Sequence, residues 1–205
     1  MVDVAGHFGM ALLWVAPAWF VRDTRRCLLF VAIAMSTAML PDVDLVLRTV
    51  SPIVHHGITH TVLFVTLVSL VAGVAFAWLM GVAGERGWLS ADTLPDGSRY
   101  AFSLAALLAA GYSHLFADML SAPDISTPIE PFWPFFEKPW AVDVAWYNSP
   151  YWNAGLLAVA VAVHVLLWRV VGDDGDGPPN RDPESAGPDR TNRDGATDGR
   201  RVREE

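Results

Sequence analysis

The sequence predicts an all-α, polytopic membrane bundle of about five helices carrying a disordered C-terminal tail. Three observations predict it. The 205-residue chain is 53% hydrophobic with a mean hydropathy of +0.33, and it contains several uninterrupted apolar runs of membrane-spanning length, a pattern rare in soluble domains. Its charge is segregated, since Gly172–Glu205 holds 16 of the 36 formal charges. That segment is dominated by Asp, Arg, Gly and Pro, and cannot bury enough apolar surface to offset its ordering entropy. The expected organisation is therefore a helical domain over residues 1–171 and a disordered tail over 172–205.

The first apolar run is Val4–Val21. It follows Asp3, lacks a basic leader and is trailed by Arg22, Arg25 and Arg26. A cleavable signal has the opposite charge order, so a retained helix is expected. The second run, Cys27–Leu40, is only 14 residues long before Pro41, or roughly 21 Å of helix. Its two following carboxylates, Asp42 and Asp44, then fall slightly below the interface, a costly position unless they face a polar cavity or a cation. Thr61–Ala83 and Trp152–Val171 are long enough to span, and Ala101–Leu120 lies between them. Ser121–Tyr151, with six prolines and many aromatic rings, forbids a continuous helix and suits an aromatic belt or a flap at the headgroup level. With alternating helices, Arg22, Arg25, Arg26, Arg86, Arg99 and Arg169 share one side. The positive-inside rule makes that side cytoplasmic, together with the tail.

The net charge of −8 gives no support to nucleic acid binding. A single cysteine, Cys27, excludes an internal disulfide and a cysteine-based zinc knuckle, so any metal must be held by nitrogen and oxygen. On the helical map the candidate ligands gather on the outer face. His7 opens the first helix. Asp42 and Asp44 follow the second in Leu-Pro-Asp-Val-Asp, where two carboxylates can share one cation, or one can ligate while the other orients a histidine. His55, His56 and His60 precede the third, with Gly57 favouring a turn and Thr59 suited to cap the helix. His114 and Asp118, four apart, share one face of the fourth. Three histidines within six residues, beside intramembrane acids, point to a metal site. His164, deep in the last helix, is expected to be structural, and Glu130 and Glu137 to be solvated.

These strings are similar to a known family. LPDVD, HHGITHT and GYSHLFADMLS, followed by a Pro-rich Trp segment, resemble the membrane-bound metal-dependent hydrolases of the YdjM type. That family looks distantly similar to zinc-dependent phospholipase C and the P1-type nucleases. The resemblance runs from about His7 to Trp140 and implies ligand roles for His7, Asp42, His55, His60, His114 and Asp118. Asp44 would be a further ligand or an orienting partner. His56 stands where the family pattern often has arginine, and either adds a ligand or changes how substrate is held.

The mixed His/carboxylate set suits a divalent metal, zinc above all, with manganese or iron as alternatives. The expected function is metal-dependent hydrolysis of a phosphoester or ester of an amphiphilic substrate, with Asp44 or Asp118 accepting the proton. The expected partners are membrane lipids and a lipid or amphiphilic small molecule; oligomeric state is left open. Two alternatives stand beside it: an ion or metal transporter, and a non-catalytic scaffold braced by its metal.

Overall fold

The computed structural model describes residues 2–21 and 23–172, and the predicted tail beyond Gly172 lies outside the described residues. Among the described residues there is no strand, and six α-helices account for the architecture: α1 Val4–Val15, α2 Thr24–Thr37, α3 Val43–Leu47, α4 Val62–Glu85, α5 Arg99–Met119 and α6 Leu156–Val171. The addition to the five predicted segments is α3, a five-residue turn of helix after Pro41.

Local chemistry sets most boundaries. The Asp3, Asp23, Thr61 and Ser98 side chains accept the backbone N–H of Gly6, Arg26, Phe64 and Ala101, capping α1, α2, α4 and α5. Thr61, not the expected Thr59, caps α4, because the Thr59 hydroxyl is engaged with Asp44. Pro17 has no N–H to continue α1, which tightens into a 3₁₀ segment, Ala16–Phe20. The Ala16 N–H turns to the Leu13 carbonyl, and the Leu12 carbonyl accepts from His164 Nε2 at 2.9 Å instead. Trp19 Nε1 donates to the other ring nitrogen of His164 at 2.9 Å. His164 is thus a fully engaged bridge from α6 to the break in α1, the structural role expected of it.

The central element is α5, which packs against α4, α1 and α2, while α6 lies on α1. Val15, Trp19, Cys27 and Phe30 meet Phe102, Ala106 and Ala110 in the main core. By contrast α4 and α6 leave Leu67, Val71, Val74, Trp78, Val161, Leu166 and Val170 exposed. An apolar surface of that extent is suited to hydrocarbon, not water. Three helical segments are long and apolar enough to cross a membrane: Val62–Glu85, Arg99–Met119 and Tyr151–Val171, with Val4–Phe20 apolar but shorter.

Two helix crossings depend on glycine. A Cβ at Gly111 would collide with the Val65 side chain, and one at Gly9 would meet the backbone of Leu157 and Leu156 at 2.8 and 3.0 Å. The second contact is with main chain and cannot be relieved by a rotamer change. Gly9→Ala should therefore destabilise the protein by about 1–3 kcal/mol, read as a lower thermal midpoint in detergent. Gly97→Ala, with nothing within 4 Å of the added carbon, is the control and should leave the midpoint unchanged.

The Pro-rich segment is an ordered cover, pinned by main-chain hydrogen bonds. Ala122 N–H donates to Ala145 O at 2.7 Å, Trp140 N–H to Ile129 O at 2.9 Å, and Val62 N–H to Pro131 O at 2.8 Å. Ile129 is wholly buried and packs with Val65 and Leu115.

Candidate metal centre

Four stretches of chain deliver polar side chains to one end of the bundle. The first turns of α1 bring His7; the turn into α3 brings Asp42 and Asp44. The 3₁₀ turn before α4 brings His60, preceded by His55 and His56, and the last turns of α5 bring His114 and Asp118. All eight candidates named from sequence meet there, and all but His55 are buried. His56 adopts a left-handed backbone, φ +65°. Such a conformation is unfavourable for a residue with a Cβ. Here it aims the His56 N–H at Asp44 Oδ2, 3.2 Å away, while the ring Nδ1 meets the Thr127 carbonyl.

The tautomers follow from the outer partners. A carbonyl only accepts, so His114 Nδ1–H donates to Ala38 O at 2.8 Å, and His56 Nδ1–H donates to Thr127 O. His60 Nδ1 meets Thr59 Oγ1 at 3.1 Å and lies 3.3 Å from Asp44 Oδ2; since the Thr59 hydroxyl donates to Asp44, the proton between the ring and these oxygens is on Nδ1. All three rings then present Nε2 to the interior. There, His60 Nε2 is 3.2 Å from Asp42 Oδ1 and 3.5 Å from Asp118 Oδ2. His114 Nε2 is 3.4 and 3.3 Å from the same two oxygens. Lone pairs facing carboxylates repel unless positive charge lies between them, a proton as in the hydrogen-bonded His60 Nε2–Asp42 pair or a cation. Both His7 ring nitrogens, His56 Nε2, His114 Nε2, Asp42 Oδ2 and both Asp118 oxygens are buried without a hydrogen-bond partner. Such orphaned atoms, in a cluster of imidazoles and carboxylates, fit a cation.

The dimensions fit as well. Bonds of about 2.0–2.1 Å from zinc to nitrogen or oxygen put neighbouring ligand atoms of a tetrahedron about 3.3–3.4 Å apart. Four of the six edges among Asp42 Oδ1, Asp118 Oδ2, His60 Nε2 and His114 Nε2 measure 3.2–3.5 Å. Sets of three with ligand atoms within 4.8 Å of one another include His60/His114/Asp118, His55/His56/His60, His7/Asp42/His114 and Asp42/Asp44/His55.

Asp44 is differently engaged. It accepts from Thr59 Oγ1 at 2.9 Å and from the His56 N–H, and its Oδ1 pairs with His55 Nδ1 at 2.9 Å. Both oxygens are occupied by groups that it orients. Sequence reasoning did not reach these outer partners: the Ala38 and Thr127 carbonyls carry no side-chain signal, and Thr59 reads as an ordinary cap.

Charge follows the same geometry. Burial would raise the Asp42 carboxyl, yet hydrogen bonds with His114 and His60 outweigh it and hold the group far below the usual range. Burial also opposes ionisation of Asp44, which His60, His55 and Thr59 nonetheless bring down to about 2. Burial lowers His56 to about 4, more than Asp118 and Thr127 can offset. It would lower His60 too, but Asp42 and Asp44 prevail and raise it above the ordinary imidazole value. A cation at His60 therefore competes with a proton held more tightly than on an ordinary imidazole, whereas at His56 it competes with one held more weakly. Metal affinity should rise with pH across the neutral range, by about tenfold per unit per proton released. Metal titrations at pH 6, 7 and 8 check the sign.

These features define a helical membrane protein whose buried histidines and aspartates can hold a metal ion. Residues 1–175 match the family model described as YdjM inner membrane protein, and the chain belongs to that family. No curated protein and no solved structure matches it. The distant likeness to phospholipase C and P1-type nucleases expected from sequence has no support among these comparisons.

Proposed function

We propose that this protein is a membrane-bound, metal-dependent hydrolase acting on a phosphoester or ester of an amphiphilic substrate. The observation that carries the reading is the inward-facing set Asp42, His60, His114 and Asp118, whose four nitrogen–oxygen separations of 3.2–3.5 Å suit a shared cation, beside a pocket. A bound divalent cation, zinc by the donor chemistry, supplies acidity to water and polarises the scissile phosphoryl or acyl oxygen.

The chain's own residues do the rest. Asp44 holds His55 and His60 in place. His55 lines a cavity of about 380 Å³, with His56, Val54, Ile58, Glu130 and Trp133 in its walls. Paired with Asp44, it is placed to pass a proton between water and the departing oxygen. On its other side a second cavity, of about 450 Å³, includes Arg48, a cation suited to a phosphate. Phe135 and Phe136, exposed on the cover, favour a substrate presented at the membrane surface.

A closed four-ligand set alone is the mark of a structural metal; the pocket beside the cluster is what favours catalysis over a metal brace. We place the site on the extracytoplasmic side. Arg25, Arg26, Arg86, Arg99 and Arg169 belong to the opposite helix ends, where Thr24 at the start of α2 bonds Gly172 at the end of α6.

The test is release of phosphate or fatty acid from lipid phosphoesters and esters in mixed micelles, with bound metal measured in parallel. Turnover should vanish with chelator and return with zinc or manganese. Metal retained without turnover on any of these substrates would remove the hydrolase reading. His55→Gln should keep its metal and lose about 10²–10⁴-fold in turnover, the usual weight of a positioned acid–base group.

A further inference from the structure

When one cation takes Asp42 Oδ1, Asp118 Oδ2, His60 Nε2 and His114 Nε2, the buried polar atoms are not all accounted for. Both His7 ring nitrogens, His56 Nε2, Asp118 Oδ1 and Asp42 Oδ2 still lack partners. Asp118 Oδ1 lies 3.5 Å from His7 Nε2 and 3.8 Å from His56 Nε2, so the two oxygens of one carboxylate face two different pairs of imidazoles. Neither pair can be satisfied by the other's cation without moving a ring. The His7 ring is stacked on His114 at 3.8 Å and 6°, and His56 is tied through Nδ1 to the cover at Thr127. The side chains of His7 and Asp118 are fully buried and that of His56 nearly so, which leaves water little room to satisfy these atoms.

We propose that the centre holds a second divalent cation, ligated by His7, His56 and Asp118 Oδ1 and joined to the first through the Asp118 carboxylate. Asp42 Oδ2 is a further unpartnered oxygen of the cluster. This inference rests on the metal-dependent reading and deepens it by separating two roles. The first position is closed by four protein ligands. The second has fewer, and one of them, His56, forms part of the wall of the 380 Å³ cavity. A position with an incomplete protein ligand set beside a pocket is where water and a substrate oxygen can enter. Substrate chemistry therefore belongs to the His7/His56 position, while the Asp42/His60/His114 position fixes the shared carboxylate.

The test is metal counting on the full-length, detergent-purified protein, stripped and reloaded with zinc or manganese alone. Wild type should bind about two equivalents, and His7→Gln and His56→Gln about one each. Circular dichroism and the thermal midpoint should show both variants folded. Manganese reports the arrangement independently: two ions sharing a carboxylate give an exchange-coupled spectrum, which should collapse to an isolated six-line signal in His56→Gln. One equivalent in wild type, unchanged in both variants, would overturn the second cation and leave the first site standing. Two equivalents without exchange coupling would overturn the shared carboxylate. No metal in wild type would overturn the hydrolase reading itself, and this inference with it.

Discussion

Asp118→Asn is expected to empty the metal centre while leaving the bundle folded. The carboxylate is buried at the middle of the cluster, with Oδ1 toward His7 and His56 and Oδ2 toward His60 and His114. Asparagine keeps the volume but removes the negative charge that two cations would share. Its amide can donate to an imidazole Nε2 that otherwise faces an acceptor, so the substitution should be tolerated in the metal-free state. Bound metal should fall below about a tenth of an equivalent. Hydrolysis should fall by roughly 10³-fold or more, the rate equivalent of the several kcal/mol a metal contributes to transition-state stabilisation. Stability gives a readout independent of substrate. A metal present at about 1,000 times its Kd stabilises by about 4 kcal/mol, or on the order of 10 °C in thermal midpoint. Chelator should lower the wild-type midpoint by that amount and leave Asp118→Asn unchanged. Full metal content in Asp118→Asn would contradict the assignment of this carboxylate at both positions.

The long helices were legible because length and apolarity alone separate α4, α5 and α6 from anything a soluble fold would expose. Helix α3 was not. VDLVL is too short for a periodic pattern, and its existence depends on Pro41 ending the previous segment while Asp44 is held by groups twelve and fifteen residues away. The expected single helix Val4–Val21 instead breaks at Pro17, which the sequence reading passed over, and only the fold shows that the Leu12 carbonyl so released is the partner of His164. At the site, residue types identified the right end of the bundle, since histidines and aspartates cannot stay unpaired in an apolar setting. They could not divide the labour. Asp42 and Asp44 are two apart with the same chemistry, and Thr59 and Thr61 are equally good caps. What separates each pair is the 3₁₀ turn Ile58–His60, which turns Thr59 toward Asp44 and leaves Thr61 to α4.

That division makes Asp44→Asn and Asp42→Asn expected opposites. Asp42 carries an oxygen toward His60 and His114 and another with no partner, so its loss should lower the number of metal ions bound. Asp44 instead accepts from the His56 N–H, Thr59 Oγ1 and His60 Nδ1 and pairs with His55 Nδ1. Removing its charge lowers the basicity of the His60 imidazole and frees two rings to turn. Partners of this outer kind are typically worth about 10–100-fold in metal affinity. Asp44→Asn should therefore bind the full complement at saturating zinc, with an affinity lower by that factor. Turnover should remain depressed even when the site is filled, because His55 has lost its support. Thr59→Val removes one donor to the same carboxylate and should cost only a few-fold, about the 1 kcal/mol of a single hydrogen bond. A competition titration with a chromophoric chelator separates number from affinity. If Asp44→Asn loses an equivalent as Asp42→Asn does, Asp44 is itself a ligand, and the pair shares a cation in the way its spacing also allows.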